Sequence, residues 1–471
     1  MSPPLTTYPA ITSFEPTVPV PVQSLPLLPA TTPPLPEQLP LLPSRPRRPD
    51  PVVDSLYELT THLVPAAYPR FTPFVPSAQQ PEWSPDRETW KANVDKTTEE
   101  VMHWKYDQHA GKVSGGLQGQ GSTKLLWNCV NRYTRRELLP QDGSNNTGLP
   151  LTLFFSHANG FPKEIWEPTL RHLVAVNGAS DSPLNIAEIW SFEAVNHGDA
   201  ALVNGKNLGG MYDWGDQARD ISQFLAYYLP PSPNTPSNAL PVHLPRQDET
   251  LGESRKTSGF QQRNLVVIGH SFSGAASTIA AANYPALFSS LILVDPVLRP
   301  LRPDVPVFTF QAHISRALNA IKRRAHWPSR EEALKQFQAT PFWQAWDSEA
   351  LDRYVECGLC DDPKGGVKLK MSGMLEAIVF AEAVRTYEAW QLCPLMDTKI
   401  PLKFIMPGKN ELHETLFKHE MVKLRPANSS HTVVTEAGHL ITQERPKELA
   451  QAINTSLREQ YMPLESPSSK L

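Results

Sequence analysis

Cysteine is scarce: four residues in 471, Cys129, Cys357, Cys360 and Cys393. That is too few for a disulfide scaffold and points to a reducing, intracellular setting. Charge of one sign is also lacking. The net charge of −4 gives no basis for nucleic-acid binding or for a polybasic membrane surface. No window holds about 18 uninterrupted apolar residues, so no membrane span is expected. The N-terminus has no basic start and prolines break each apolar stretch, so no secretory leader is expected. Metal ligands in sets are missing too. Cys357-Gly-Leu-Cys360 has no second Cys pair or paired histidines, and a structural zinc site wants four ligands, so no metal is expected.

Hydrophobic residues make up 40% of the chain and charged ones 20%, enough for a large packed core. Proline is abundant but uneven, with 22 of the 48 in the first 90 residues. Each ring removes a donor and fixes φ. Residues 1–85 therefore read as a Pro-rich, largely disordered extension whose Leu, Val and Tyr side chains can dock locally.

From about residue 122 strand-like and helical runs alternate. Lys124–Arg132, Leu151–Phe155, Ile186–Val195, Leu265–Ile268, Leu291–Val294, Leu402–Met406 and Thr432–Thr435 read as strands. Asp213–Tyr228, Ala275–Ala282 and Lys447–Glu459 read as helices. That rhythm predicts an α/β fold, a mostly parallel sheet covered on both faces. The core is expected at 86–296 and 400–461, with a surface loop insertion at 230–263. Residues 297–399 read as a helical insert, with helices near Ala312–Arg324, Arg330–Gln338 and Met371–Trp390. Its tryptophans, Trp327, Trp343, Trp346 and Trp390, either pack those helices or line an apolar pocket. Residues 462–471 read as a flexible tail.

The strongest chemical signal is Gly269-His270-Ser271-Phe272-Ser273-Gly274, lying between a strand and a helix. This is the context of a nucleophile elbow, a sharp turn with small residues flanking an exposed serine. Ser271 needs a base to take its proton. His439, directly after the last strand, is the candidate, in competition with His157, His197, His413 and His431. His197 reads as structural or as part of a pocket rim. A carboxylate must orient that imidazole. Glu411 is favoured and Asp295 is the alternative. Oxyanion donors are expected from the Phe272 amide and from the loop after Phe155, at either Asn159 or Phe161, with Gly160 supplying backbone freedom.

The chain ends Ser469-Lys470-Leu471, a tripeptide read by the peroxisomal import receptor. The expected location is the peroxisomal matrix.

The stretch Ser156-His-Ala-Asn-Gly-Phe-Pro-Lys-Glu164, the Asn196-His-Gly-Asp199 run, the elbow and the terminal tripeptide together resemble the fungal peroxisomal α/β-hydrolases. That group includes the yeast peroxisomal lipase and hydrolases of host-selective toxin pathways of the AK-toxin type. The resemblance covers about residues 122–460. It implies the α/β-hydrolase fold with eight strands, a helical cap between the sixth and seventh, and no cofactor. Ser273 departs from the usual second elbow glycine, and Glu411 from the commoner aspartate. The function expected is hydrolysis of an ester or thioester of a lipid-like or polyketide-like acyl substrate, in fungal toxin or secondary-metabolite biosynthesis. Acyl transfer from acyl-CoA and a non-catalytic binding protein are the alternatives.

Overall fold

A computed structural model describes residue 27 and residues 30–109, 121–137, 148–180, 184–300, 306–382, 384–409 and 418–462. The main sheet has eight strands: β1 (Tyr57–Pro65), β2 (Trp127–Arg135), β3 (Leu151–Ser156), β4 (Ile186–Glu193), β5 (Asn264–His270), β6 (Ser290–Val294), β10 (Leu402–Pro407) and β11 (Ser429–Val434). Between β6 and β10 lie the short strands β7 (His326–Trp327), β8 (Leu359–Asp361) and β9 (Val367–Leu369), which form a separate antiparallel sheet. The main order is β1-β2-β4-β3-β5-β6-β10-β11. Pairing is antiparallel at β1–β2 and β2–β4 and parallel from β4 onward.

Strand periodicity builds a core on each face. Leu265 and Val267 of β5 join one apolar cluster, while Val266 and Ile268 join the other. Phe154 likewise faces opposite to Leu153 and Phe155. Successive side chains alternate, so an unbroken apolar strand serves two layers.

The N-terminal expectation needs correction. Residues 57–65 are not part of a disordered extension; they are an edge strand in register with β2, Tyr57 opposite Arg135 and Pro65 opposite Trp127. Tyr-Glu-Leu-Thr-Thr-His-Leu-Val-Pro carries its one proline at the end, where no further pairing is needed, and averaging over 85 proline-rich residues hid it. The segment after it is tied down by side chains. Arg70 lies 3.4 Å from Asp216 and 2.5 Å from Asp220, and the amides of Phe71 and Thr72 donate to Asp216. Arg70 is 5% exposed and both carboxylates are fully covered. Arg70→Ala leaves buried Asp220 without its cationic partner, while Asp216 keeps Arg219 at 2.8 Å. It should destabilise the protein by about 3–5 kcal/mol, read as a lowered urea midpoint at unchanged m-value.

The 230–263 insertion is also more ordered than a surface loop. It contains a helix, Glu249–Ser258. Gly252 lets that helix lie against the Tyr227 ring, where a Cβ would fall 2.0 Å from a ring carbon. Arg255 donates to the carbonyls of Ala226 and Leu229, which end a π-helical turn.

The residue 297–399 region holds helices Pro306–Lys322, Arg330–Gln338, Ser348–Gly358, Gly373–Phe380 and Arg385–Leu392. The run Met371–Trp390 is thus two helices rather than one. Trp343 and Trp346 are buried with Phe337 and Tyr354, ring centroids 4.4 to 6.0 Å apart. Phe161, from the loop after β3, contacts Trp346 and Tyr354 edge-on and joins this cluster to the sheet. Cys357 and Cys360 are unbonded thiols, Cys357 buried. Among the described residues no helix is long and apolar enough to cross a membrane.

Candidate active site

β5 ends at His270 and the helix Phe272–Asn283 begins two residues later. Ser271 joins them with φ 59° and ψ −122°, a left-handed conformation imposed on a non-glycine residue. Such strain persists only where surrounding structure over-determines it. Here the Ser271 amide donates to the Val294 carbonyl, and its own carbonyl accepts from Val297. Neighbouring backbone approaches so closely that a Cβ on Gly269 would lie 2.9 Å from the Ser273 carbonyl. One on Gly274 would lie 2.8 Å from Pro296. Ser273 fits where glycine is commoner because its hydroxyl donates 2.6 Å to the His157 carbonyl.

The turn aims Ser271 Oγ at His439. The separation Oγ to Nε2 is 2.9 Å, across 168 residues of sequence. The other ring nitrogen, Nδ1, lies 2.6 Å from Asp295 Oδ2. Asp295 sits just past β6 and is 2% exposed. Burial opposes its ionisation. The hydrogen bond and charge of His439, together with Lys418, outweigh burial and hold the carboxyl below the usual carboxylate range. Lys418 Nζ is 3.1 Å from the same oxygen. Of the two acids expected from sequence, Asp295 is therefore the one at the imidazole. Glu411, the favoured one, lies outside the described residues, as does His413.

The remaining histidines separate by environment. His431 is exposed on β11. His157 is buried and accepts the Ala194 amide at Nε2, and burial pushes its pKa down to about 4. His197 is buried too, and burial holds it well below its ordinary value. Its ring stacks on Phe272, 5.6 Å between centroids and 9° between planes. Its nitrogens lie 2.8 Å from Asn196 Oδ1 and 3.1 Å from Asn159 Oδ1. The two amide nitrogens of those asparagines donate to the carbonyls of Leu375 and Glu376, on the helix Gly373–Phe380. His197 thus links the helix that follows Ser271, the loop after β3 and the 297–399 region.

Sequence reasoning passed over His270, although it is the neighbour of Ser271. Its Nε2 donates to the His439 carbonyl at 2.9 Å and Thr442 meets Nδ1 at 3.2 Å. Burial drops its pKa to about 3, so it stays neutral and fixes the loop that carries His439. Its place within the elbow string was the available signal. Lys418 offered none.

Ser271 and His439 open onto a cavity of about 350 Å³. Asn159 and Phe161 both line it, separated by Gly160 at φ 93°. Phe272 is the first helical residue, so its amide has no partner within the helix. Trp214, Phe342, Val379 and Met421 supply apolar wall, and Arg299, Arg316 and His313 also face the space. None of Trp327, Trp343, Trp346 and Trp390 lines this cavity; the first three pack the insert, and Trp390 is partly buried against the main core. A hydroxyl, an imidazole and a carboxylate in series beside an apolar cavity can carry a proton off the serine as it attacks a carbonyl.

The sequence of residues 153–452 matches the model of the alpha/beta hydrolase family. Two curated relatives are fungal. "Type I acyl-CoA thioesterase mpaH" of Penicillium brevicompactum is 29% identical over 230 residues, covering 48% of this chain and 43% of that protein. "Peroxisomal membrane protein LPX1" of Saccharomyces cerevisiae is 27% identical over 242 residues, covering 48% and 54%. The chain thus spans about half the length of these relatives. A shorter match, 28% over 101 residues, covering 21% of this chain and 36% of the relative, is to the abhydrolase domain-containing protein AKT2 of Alternaria alternata. The solved structure of the yeast peroxisomal alpha-beta-hydrolase Lpx1 superposes with a TM-score of 0.57 at 20% identity, over 88% of this chain and 94% of that one, a likeness of fold. With fungal relatives that include a peroxisomal protein and an abhydrolase domain-containing protein, and a family model matching well over half its length, this chain belongs to the alpha/beta hydrolase family.

Proposed function

We propose that the chain is a serine hydrolase that cleaves an ester or thioester of a lipid-like or polyketide-like acyl group. The observation that carries this reading is the unbroken relay Ser271 Oγ–His439 Nε2 and His439 Nδ1–Asp295 at 2.9 and 2.6 Å, opening on an apolar cavity. Ser271 adds to the substrate carbonyl while His439 takes its proton. Asp295 holds the Nδ1–H tautomer and balances the imidazolium that forms. The Phe272 amide, with that of Asn159 or Phe161, stabilises the oxyanion. Collapse of the tetrahedral adduct breaks the bond to the alcohol or thiol, which leaves with the proton from His439. Water, deprotonated by the same imidazole, then releases the acid and restores Ser271.

The 297–399 region, as a cap over the sheet, sets the length of acyl group admitted. A relative named an acyl-CoA thioesterase supports a thioester as substrate. The tripeptide Ser469-Lys470-Leu471, together with relatives named as peroxisomal, supports action in the peroxisome after capture by the import receptor. That tripeptide lies outside the described residues.

Treatment with a fluorophosphonate should modify one residue per chain, identified as Ser271 by peptide mass spectrometry. A panel of acyl esters of increasing length should then show a maximum in kcat/KM. Absence of labelling on a folded protein would remove the reading.

A further inference from the structure

The catalytic cavity is small. About 350 Å³ is at the low end for a ligand pocket and has room for an acyl group, not for a large polar leaving group as well. A second concavity has a volume of about 890 Å³. An ion pair links the two linings: Arg323 lines the larger groove, Glu376 lines the catalytic cavity, and their charged groups are 2.5 Å apart.

The chemistry of that groove is specific. Five cationic side chains line it and no carboxylate does, among the described residues. Two of the five are already balanced, Arg323 by Glu376 and Lys370 by Asp199 at 2.6 Å. Arg324 spends its donors on neutral acceptors, the His326 carbonyl and Gln336. Lys322 is exposed, and Lys368 reaches Asp362 only at 3.8 Å. Positive charge therefore remains unbalanced in the groove. Two tryptophans line the same groove. Trp83 is 71% exposed, an unusual state for so large an apolar ring, and Trp90 is partly buried. Clustered cations bind phosphate, and a flat exposed indole offers a stacking surface to a heterocyclic base.

We propose that this groove binds the adenine nucleotide head of a coenzyme A thioester. The base stacks on Trp83, the phosphates lie along Lys322, Arg324 and Lys368, and the thiol arm passes the Arg323–Glu376 pair to reach Ser271. The proposal rests on the serine hydrolase reading and narrows its leaving group from any alcohol or thiol to a nucleotide-bearing thiol.

Calorimetric titration of the full-length Ser271→Ala protein tests the groove without turnover. Adenosine 3′,5′-bisphosphate should bind saturably, and more tightly than inorganic phosphate or adenosine alone. Lys322→Glu and Lys368→Glu should each weaken that binding by about tenfold, the loss expected on reversing a charged phosphate contact. Trp83→Ala should weaken it in the same direction. A kinetic arm in the Ser271 protein separates substrate from free nucleotide. The KM for a coenzyme A thioester, divided by that for the N-acetylcysteamine thioester of the same acyl group, should rise about tenfold in the lysine variants. Absence of saturable binding, or phosphate binding as tightly as the bisphosphate, overturns the proposal. So does a KM ratio that stays constant while nucleotide binding is lost. Failure of the hydrolase reading shows separately, as a chain that fluorophosphonate does not label.

Discussion

Ser271→Ala is expected to lower kcat about 10⁶-fold on any ester the wild-type protein turns over, with KM changed far less. The magnitude follows from the relay acting as a unit. Without the hydroxyl, His439 has no proton to take and no acyl-enzyme forms. What remains comes from oxyanion donors and substrate binding, which together leave about 10³–10⁴-fold over water. The fold should survive. Alanine meets the same left-handed backbone penalty that serine already bears at φ 59°, and the hydroxyl's one neighbour is half-exposed His439. Equal thermal midpoints with activity gone would locate the chemistry at Oγ. Activity retained within tenfold in a folded variant would sink the mechanism.

Asp295→Asn carries the second largest expected effect, a fall in kcat of about 10⁴-fold with the fold intact. The amide is nearly isosteric, but it can present its NH₂ to Nδ1 and so favour the tautomer in which Nε2 carries the proton. That imidazole cannot accept a proton from Ser271. The charge that balances the imidazolium is lost as well, and so is the partner of Lys418 at 3.1 Å. Glu411→Gln is the matching control, with kcat expected within about threefold of wild type, the scale of substitutions outside the reacting unit. Steady-state kinetics on the two variants, side by side, decide which acid serves His439. A large loss in Glu411→Gln with a small one in Asp295→Asn would reverse the assignment.

The two acids show where sequence reasoning reaches its limit. In the sequence Asp295 and Glu411 each follow a strand, and both precede His439 in the order Ser, acid, His. Spacing along the chain does not say which carboxylate meets a given nitrogen, because that depends on loop conformation at the angstrom level. Asp295 gains its place from an unusual φ of 34° and an amide bonded to the Ile405 carbonyl across the sheet. Neither feature is encoded in a local pattern. The N-terminal segment is a different kind of miss. Composition is an average, and nine strand-forming residues at 57–65 vanish within a proline-rich background. Their partner, β2, has eight of nine residues buried, so the edge strand is recruited by tertiary burial rather than by its own propensity. The helix Glu249–Ser258 was missed likewise, since its defining contact is with the distant Tyr227.

Alternation of apolar strands with helices, the Gly-x-Ser-x-Ser-Gly turn and a histidine after the last strand are local facts. Periodicity and sterics act over a few residues, so the sequence alone determined the layered fold and singled out Ser271 and His439 as the candidate nucleophile and base. The tertiary structure decided which acid touches His439, how His197 and His270 brace the elements around it, and how cations and tryptophans far apart in the chain come to line one groove. Those outcomes depend on residues from separate elements meeting in space, where one ångström separates a hydrogen bond from none.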